Sequence, residues 1–349
     1  MTYRNTYANI NLKNIKDNVS NIIKEYNNYK YYIGVVKADS YGHNSIKVVE
    51  SIINGGCNYL AVSSLDEALE IREYYNIPIL CLGIINESFI DIAEKNNIDI
   101  IVTNLEYLIK IKEHKLNIHI KIDTGMNRLG VKTKEEFNNI YNLINKSNLN
   151  LKGIYTHIYN AKNKDVTINQ IDKFKIITSD IDLTKIDIVH IAQSDTLINY
   201  PKIDFVNGCR LGIIMYGLTD NELNLKNTIS LISEIVEIKQ VKKNETISYN
   251  GNYKAESDML VGNVSIGYAD GINRKLTGSY VYINNKRYEI IGNICMDMLM
   301  IKIDNDVKLY DKVEIYKDIE HIKELSNYLN TIPYELICNI SKRVPRIYL

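Results

Sequence analysis

The sequence lacks a net charge, because 42 lysine and arginine residues balance 42 aspartate and glutamate residues. Such a balance gives no sequence-wide attraction to nucleic acid or to an anionic membrane surface. We therefore expect a small-molecule substrate and no nucleic-acid partner. Proline is scarce, with 4 in 349 residues, and we assign no function to that frequency.

The cysteines lack the spacing that a disulfide framework or a zinc site requires, since neither CxxC nor a histidine pair accompanies them. They are Cys57, Cys81, Cys209, Cys295 and Cys338. We predict reduced thiols in a cytoplasmic protein, with no metal ion. The amino-terminal residues 1–16 lack the apolar core of a signal peptide, and no stretch reaches the roughly 18 apolar residues of a membrane-spanning helix.

Eight short apolar runs alternate with polar-faced helical stretches over the first two-thirds of the chain. The runs are residues 31–37, 58–64, 77–83, 98–104, 117–123, 151–157, 186–194 and 205–212. Nearly continuous apolar runs are typical of parallel strands buried on both faces. Eight such βα units predict an α/β fold with an N-terminal (β/α)8 TIM-type barrel. An open doubly wound sheet is the alternative that the same alternation allows.

From about residue 225 strand-like runs follow one another without regular helices between them, broken by turn signals such as Asn284-Asn285. This pattern of strand-like runs predicts a second, C-terminal, mostly-β domain. We place the two domains at residues 1–222 and 223–349. A helix-like stretch at 321–340 precedes the basic tail SKRVPRIYL.

Polar residues stand where the predicted barrel strands end, and barrel enzymes build their active sites at those ends. They are Lys37, Lys121, Asp123, His157, Ser194 and Arg210, with Gly212 close behind. Each has an ordinary alternative, such as a solvated lysine, a satisfied histidine or a serine that caps the next helix. Together they form a plausible pocket for a phosphorylated ring.

Several segments resemble the alanine racemase family in the same order along the barrel. They are VVKADSYGH (35–43), KIDTGMNRLG (121–130), GIYTHI (153–158), HIAQS (190–194) and RLGIIMYGL (210–218). The resemblance implies a fold-type-III enzyme dependent on pyridoxal 5'-phosphate (PLP), in which Lys37 forms a Schiff base with the cofactor. A Schiff base needs an amine that loses its proton near neutral pH, and burial beside a cation would lower its pKa.

The remaining cofactor contacts also follow from the resemblance. Tyr41 would contact the phosphate, and Ser194 with the backbone of Gly212 and Ile213 would complete that site, since a glycine opening a helix after strand eight offers free N–H groups. Arg210 would face the pyridine nitrogen, with His157 hydrogen-bonded behind it. Because arginine keeps its proton, the ring would be a weaker electron sink, which favours reprotonation over transamination.

Racemisation needs acid/base groups on both faces of Cα. Lys37 serves one face, and NVSIGYADGINRKL (263–276) resembles the family segment whose tyrosine, here Tyr268, serves the other. A core aromatic is the alternative in a chain with 27 tyrosines. In the family that tyrosine reaches the cofactor of the partner subunit, as does the pair matched by Met296-Asp297, which implies an obligatory homodimer.

Substrate and supporting roles complete the expected site. Arg128 resembles the arginine near the substrate carboxylate, and the resemblance implies that Met296 also contacts the substrate. Lys121 matches a lysine that is often carbamylated and orients that arginine, with a surface lysine as the alternative. Cys295 and Asp297 are expected to support the site from NICMDM (293–298).

Departures from the family pattern cluster where substrate would enter: Lys342 replaces a tyrosine, Asn293 an arginine, and Lys162 an acidic residue. We expect the protein to convert L-alanine to D-alanine, which is then used in peptidoglycan. A serine racemase of the glycopeptide-resistance type is the nearest alternative, and this chain could be the soluble part of such a membrane-anchored protein. A PLP-dependent decarboxylase of basic amino acids and a non-enzymatic PLP carrier are more distant alternatives.

Overall fold

Eight parallel strands close into a barrel in the computed structural model, which describes residues 3–219 and 223–349. The strands are β2 (Tyr31–Val35), β3 (Tyr59–Val62), β4 (Ile79–Cys81), β5 (Ile98–Val102), β6 (Asn117–Lys121), β7 (Asn150–Tyr155), β8 (Ile188–Ala192) and β9 (Gly208–Leu211). Pairing of β2 with β9 closes the ring. The predicted barrel is confirmed, each strand lies in its predicted run but for Asn150 at the start of β7, and the open sheet is excluded.

Helices cover the outside of the barrel and begin at the polar residues that favour such positions. They are α1 (Leu12–Glu25), α3 (Ser45–Gly55), α4 (Leu65–Arg72), α5 (Ile90–Lys95), α6 (Leu105–Ile111), α7 (Lys134–Ile144), α8 (Lys164–Ile177) and α9 (Ser194–Asn199). The side chains of Asn11, Ser64, Asn104 and Asn163 each accept a hydrogen bond from a backbone N–H in the first turn that follows. These caps satisfy donors that the helix itself leaves free.

The carboxyl-terminal part forms an eight-stranded sheet in the order β13-β16-β15-β14-β17-β10-β1-β18. Its strands are β1 (Tyr7–Ile10), β10 (Ile229–Val241), β13 (Met259–Val264), β14 (Tyr280–Ile283), β15 (Lys286–Ile291), β16 (Leu299–Ile303), β17 (Lys312–Tyr316) and β18 (Arg346–Tyr348), with β11 (Thr246–Ile247) and β12 (Tyr253–Lys254) as a separate hairpin. Asn284 and Asn285, both with positive φ, join β14 to β15, as their sequence predicts. Two helices follow, α10 (Ile319–Tyr328) and α11 (Pro333–Cys338).

The amino-terminal strand β1 lies in the second sheet, although it precedes the barrel in the sequence. It pairs antiparallel with β10 and parallel with β18, so residues 7–10 belong to the second sheet and not to the barrel. The division expected between residues 222 and 223 falls at residues 220–222, which lie outside the described residues, and it stays a prediction. Both chain ends therefore help to fix the β domain against the barrel.

A left-handed turn follows the first barrel strand. Residues Lys37–Gly42 form a short helical segment, α2, in which Ala38, Asp39, Ser40 and Tyr41 have φ between 51° and 56°. Each left-handed non-glycine residue costs about 1–2 kcal/mol, so the surrounding structure must stabilise the turn. His43 Nδ1 donates to the carbonyl oxygens of Ser40 (3.0 Å) and Tyr41 (3.1 Å). A Cβ atom at position 42 would lie 2.2 Å from Ile337 O, so glycine is required there.

Within the described residues, no helix has the length and apolar character needed to cross a bilayer. All five cysteines are free thiols, as expected.

Acid should weaken the fold through His43. Burial lowers the pKa of His43 to about 4, whereas an unfolded histidine titrates near about 6.5. The unfolded chain therefore binds a proton that the folded chain excludes, and stability falls as the pH drops from 6.5 towards 4. By pH 5 this group alone should remove about 2 kcal/mol.

Urea unfolding at pH 7.5 and pH 5 tests this expectation. His43→Asn keeps one donor beside the turn but cannot titrate, so it should be less stable at pH 7.5 and lose less stability on acidification. An equal loss in both proteins would contradict the assignment. His114→Asn, at a histidine away from the turn, is the control.

Candidate active site

A cavity of about 410 Å³ opens at the carboxyl ends of the barrel strands, as the barrel rule requires. It is lined by nine residues expected from the sequence: Lys37, Tyr41, Lys121, Arg128, His157, Ser194, Arg210, Gly212 and Ile213. The structure therefore brings together the expected barrel residues of the site. Asp123 does not line it, and its Oδ1 instead accepts the N–H groups of Gly125 and Asn127, which orders the loop that carries Arg128.

Four basic side chains line this cavity, those of Lys37, Lys121, Arg128 and Arg210, and among the described residues a single carboxylate, that of Asp195, lines it with them. Burial, followed by the charge of Arg128, lowers the pKa of the Lys37 amine. Lys121 is 6% exposed, which excludes the surface-lysine alternative. Its burial, with Arg210 and Arg128 nearby, lowers its pKa well below the usual range. The cavity thus favours neutral amines and anionic ligands.

One end of the cavity is a polar cradle. A Cβ atom at Gly212 would lie 3.2 Å from Tyr41 Oη and 3.5 Å from Ser194 Oγ, so these groups converge on the glycine. Ser194 Oγ accepts the N–H groups of Gly212 (3.2 Å) and Ile214 (3.4 Å). The alternative of a helix cap is wrong for Ser194, because the side chain of Gln193 caps α9 instead.

Arg210 lines the same cavity and is fixed by strand β8 and the end of β7. Its Nη1 donates to His190 Nδ1 at 2.7 Å and to His190 O at 3.0 Å, and its Nη2 donates to Thr156 O at 2.9 Å. His157 Nδ1 is farther away, 3.4 Å from Nη2. Arg210 therefore contacts His190 as well as the expected His157, and the contact with His190 is the shorter one. Burial lowers the pKa of Arg210 to about 10, which leaves it protonated at neutral pH.

Behind Arg210 a buried polar chain runs through the barrel. His190 Nε2 lies 3.0 Å from His119 Nδ1, and His119 Nε2 lies 3.5 Å from Tyr59 Oη, which is hydrogen-bonded to Asp99. Because Arg210 can only donate, His190 must accept at Nδ1 and donate from Nε2. Burial beside Arg210 lowers the pKa of His190 well below its usual range, so this histidine is neutral.

Tyr268 and its neighbours form a second cluster, in the β domain. Tyr268 N–H donates to Cys295 O and Ala269 N–H to Met296 O, both at 3.0 Å. A Cβ at Gly267 would lie 2.4 Å from both carbonyl oxygens, so only glycine permits this approach. None of Tyr268, Cys295, Met296 and Asp297 lines the barrel cavity of the same chain. Tyr268 is 42% exposed and Met296 53%.

The three departures from the family pattern lie outside the cavity. Lys342 lines a surface groove beside Asp39, Glu67 and Glu70. Asn293 donates to Tyr249 O at 2.7 Å and accepts from Asn252 at 3.2 Å, so it orders the neighbouring loop. Lys162 is exposed in the loop after β7.

Several residues that line the cavity or support it were not predicted from the sequence. Ser63, Gly83, Tyr155 and Gln193 stand at the ends of predicted strands, so the rule that selected Lys37 could also have selected them. Tyr334, from α11, had no such signal, because only the packing of the two domains brings it to the cavity. Glu67 accepts the N–H groups of Ala38 (2.7 Å) and Ser63 (2.8 Å), which anchors the left-handed turn.

A closed barrel whose cavity contains a polar cradle and a buried amine of lowered pKa, joined to a β domain, defines a two-domain barrel enzyme. Profiles of the alanine racemase N-terminal and C-terminal domains match residues 10–220 and 228–348. The chain therefore belongs to the alanine racemase family and is an amino-acid isomerase.

Similar proteins agree with this assignment along the whole chain. Alanine racemase 1 of Bacillus subtilis is 36% identical over 99% of this chain and 94% of its own length. Alanine racemase of Clostridium tetani is also 36% identical, over 99% and 96% of the two chains. A crystal structure of alanine racemase from Bacillus anthracis with bound L-Ala-P, 32% identical, has a TM-score of 0.93 and covers 100% of this chain and 96% of that one.

Removing the partner of Arg210 should destabilise the barrel. His190→Leu leaves Nη1 without its imidazole acceptor, and a hydrogen bond to a charged group is worth about 2 kcal/mol. We expect unfolding at lower urea concentration. His190→Asn places an oxygen near the Nδ1 position and should restore part of the loss. If leucine and asparagine destabilise equally, the hydrogen bond is not the cause.

Proposed function

We propose that this protein interconverts L-alanine and D-alanine with PLP bound in the barrel cavity, and so supplies D-alanine for peptidoglycan. The observation that carries the proposal is the placement of Lys37, whose pKa is lowered, in a cationic cavity that ends in the Tyr41–Ser194–Gly212 cradle. Free thiols and bacterial relatives support a cytoplasmic protein.

The residues present fit PLP. Tyr41, Ser194, Gly212 and Ile213 would hold the phosphate, and Lys37 would hold the aldehyde carbon covalently through Nζ. Arg210 would donate to the pyridine nitrogen without giving up its proton. When bound, PLP acidifies the Cα–H group of an amino acid joined to it.

Lys37 and Tyr268 would move the proton. Lys37 removes the Cα proton of one enantiomer, and Tyr268 supplies a proton to the opposite face; for the other enantiomer the roles reverse. A neutral amine is needed for Lys37 to act as a base, and burial near Arg128 favours that form. His157, whose pKa burial lowers to about 2, adds no positive charge to the cavity.

A homodimer would bring Tyr268 to the cavity of a second copy. Tyr268 and Met296 are exposed and lie outside their own cavity, which supports a role in a partner's site. Further exposed apolar side chains of the same domain, Met298 and Tyr249, are 45% and 68% exposed. Their burial in a dimer would contribute to its stability.

Arg128 would bind the substrate carboxylate, and Lys121 would orient it. The pKa of Lys121 is held low by burial between Arg210 and Arg128, and the neutral amine is the form that reacts with carbon dioxide. A carbamate there would place a negative charge between two arginines. This arrangement supports the carbamylation expected at Lys121.

The cavity favours alanine racemisation over the more distant alternatives. A decarboxylase of basic amino acids would need an acidic substrate pocket, whereas the lining residues include four basic side chains, Lys37, Lys121, Arg128 and Arg210. A PLP carrier resembles the barrel alone, whereas this chain continues into the matched C-terminal domain. Serine differs from alanine by one hydroxyl group, so it remains the alternative substrate that the assay must include.

Substitution of either proposed base should abolish racemisation. We expect Lys37→Ala to lose detectable turnover, and Tyr268→Phe to lose at least about 100-fold, the usual contribution of general acid–base catalysis. Turnover of L-alanine and L-serine is followed by chiral chromatography. Borohydride reduction of the wild type should label Lys37. Label at another lysine, or greater turnover of serine, would overturn the corresponding assignment.

Mixed dimers test whether active sites are shared. When Lys37→Ala and Tyr268→Phe chains are co-expressed, one site of each mixed dimer pairs an intact lysine with an intact tyrosine. Random mixing should then recover about one quarter of wild-type activity. Each variant expressed alone is the control. If both bases come from the same chain, the mixture stays inactive.

A further inference from the structure

A fully buried carboxylate lies directly behind the turn that carries Tyr268. Asp270 is 0% exposed, and Arg4, ahead of β1, donates to Asp270 Oδ1 at 2.5 Å and to Oδ2 at 3.2 Å. Arg343, in the carboxyl-terminal tail, approaches Oδ1 with Nε at 2.9 Å. Both ends of the chain therefore meet at one carboxylate.

The charges continue from this carboxylate to the surface. Arg343 Nη2 donates to Asp297 Oδ1 at 2.7 Å, and Asp297 directly follows Met296. Arg4, Asp270, Arg343 and Asp297 thus form a row of alternating charges, which we call the charge ladder. A guanidinium group suits this place because its donors point in fixed directions and can bridge two carboxylates at once.

The ladder joins the two segments that present Tyr268 and Met296. Asp270 Oδ2 accepts the N–H of Gly267 at 2.9 Å, and Asp270 O accepts the N–H of Ser341 at 3.0 Å. At Gly271, where φ is 103°, a Cβ would lie 2.0 Å from Asn339 O. The turn is therefore held from both sides, while the tyrosine ring itself stays half exposed.

We propose that the charge ladder is a positioning device, which sets the phenol of Tyr268 and the side chain of Met296 at the distance from each other that the cavity of a second copy requires. This inference rests on the proposed role of Tyr268. Arg343 and Asp297 are the positioning residues at its exposed end, with side chains 42% and 53% exposed. Because neither residue lines the barrel cavity of its own chain, which contains Lys37 and the Tyr41–Ser194–Gly212 cradle, their loss should leave PLP binding in that cavity intact.

A misplaced tyrosine has a signature that a merely weakened fold lacks. Racemisation has an equilibrium constant of one, so steady-state efficiency must change equally in both directions. Exchange of the Cα proton with solvent is not bound by this rule. For the enantiomer whose proton Lys37 removes, exchange with retention continues when Tyr268 is displaced, whereas exchange of the other enantiomer falls.

The experiment measures deuterium incorporation, with retention and with inversion, for D-alanine and L-alanine in D2O. The variants are Arg343→Gln and Asp297→Asn, with Tyr268→Phe as the reference and Arg343→Lys as the conservative change. Arg287→Gln, which breaks the exposed ion pair with Glu324 in the same domain, is the matched control. PLP affinity by absorbance titration and mass in solution are recorded for each variant.

We expect Arg343→Gln and Asp297→Asn to lose roughly 10- to 100-fold in inversion, as for a misplaced catalytic group. Exchange with retention should persist for one enantiomer only, the same one as in Tyr268→Phe, with PLP affinity unchanged. Arg343→Lys should fall between these variants and wild type, and Arg287→Gln should match wild type.

Other results overturn the inference in distinguishable ways. If Tyr268→Phe shows the asymmetry and the ladder variants affect both enantiomers equally or not at all, the ladder does not position the tyrosine. Asymmetry that appears only because a variant has dissociated to monomers assigns the ladder to the interface instead. If Tyr268→Phe itself shows no asymmetry, the proposed role of Tyr268 fails, and the ladder inference fails with it.

Discussion

The left-handed turn after the first barrel strand is the constraint on which the active site depends. Four consecutive non-glycine residues have positive φ, at a cost of about 1–2 kcal/mol each. Hydrogen bonds to Glu67 and from His43 stabilise it, and Gly42 leaves room for the backbone of Ile337. Because of this turn, Lys37 and Tyr41, four residues apart in the sequence, both line the same cavity. A strained backbone is retained here because it positions two functional groups.

A second constraint on the active site is electrostatic: several basic side chains lie close together in the cavity. Lys37, Lys121 and Arg210 are held near Arg128, and burial lowers the pKa of the first three. The lysines move towards neutrality, whereas Arg210 remains protonated because its pKa starts so high. The same cavity therefore contains amines able to act as bases and a guanidinium that cannot. Neutral His190 completes the arrangement by accepting from Arg210 and directing it into the cavity.

Periodicity predicted the barrel because parallel strands buried on both faces leave a clear apolar signature, and all eight runs carry it. The rule that barrel active sites lie at the carboxyl ends of the strands likewise identified Lys37, Ser194 and Arg210. The short strand β1 was not predicted, because the residues with which it pairs, in β10 and β18, lie more than 200 residues away in the sequence. His190 was missed for a related reason: it lies inside a strand, and only the geometry of Arg210 shows which histidine it contacts.

The proposed division of the site between the barrel of one copy and the β domain of another requires a firmly anchored β domain. In the proposed homodimer Tyr268 would act in the cavity of another copy, so its position would depend on the packing of its own domain and not on the barrel of the same chain. Strand β1 and the tail that includes β18 fix that domain at both chain ends, and Arg4 and Arg343 extend from those ends to Asp270. Precision at Tyr268 therefore comes from residues far from it in sequence, which is why local motifs alone could identify the tyrosine but not what holds it.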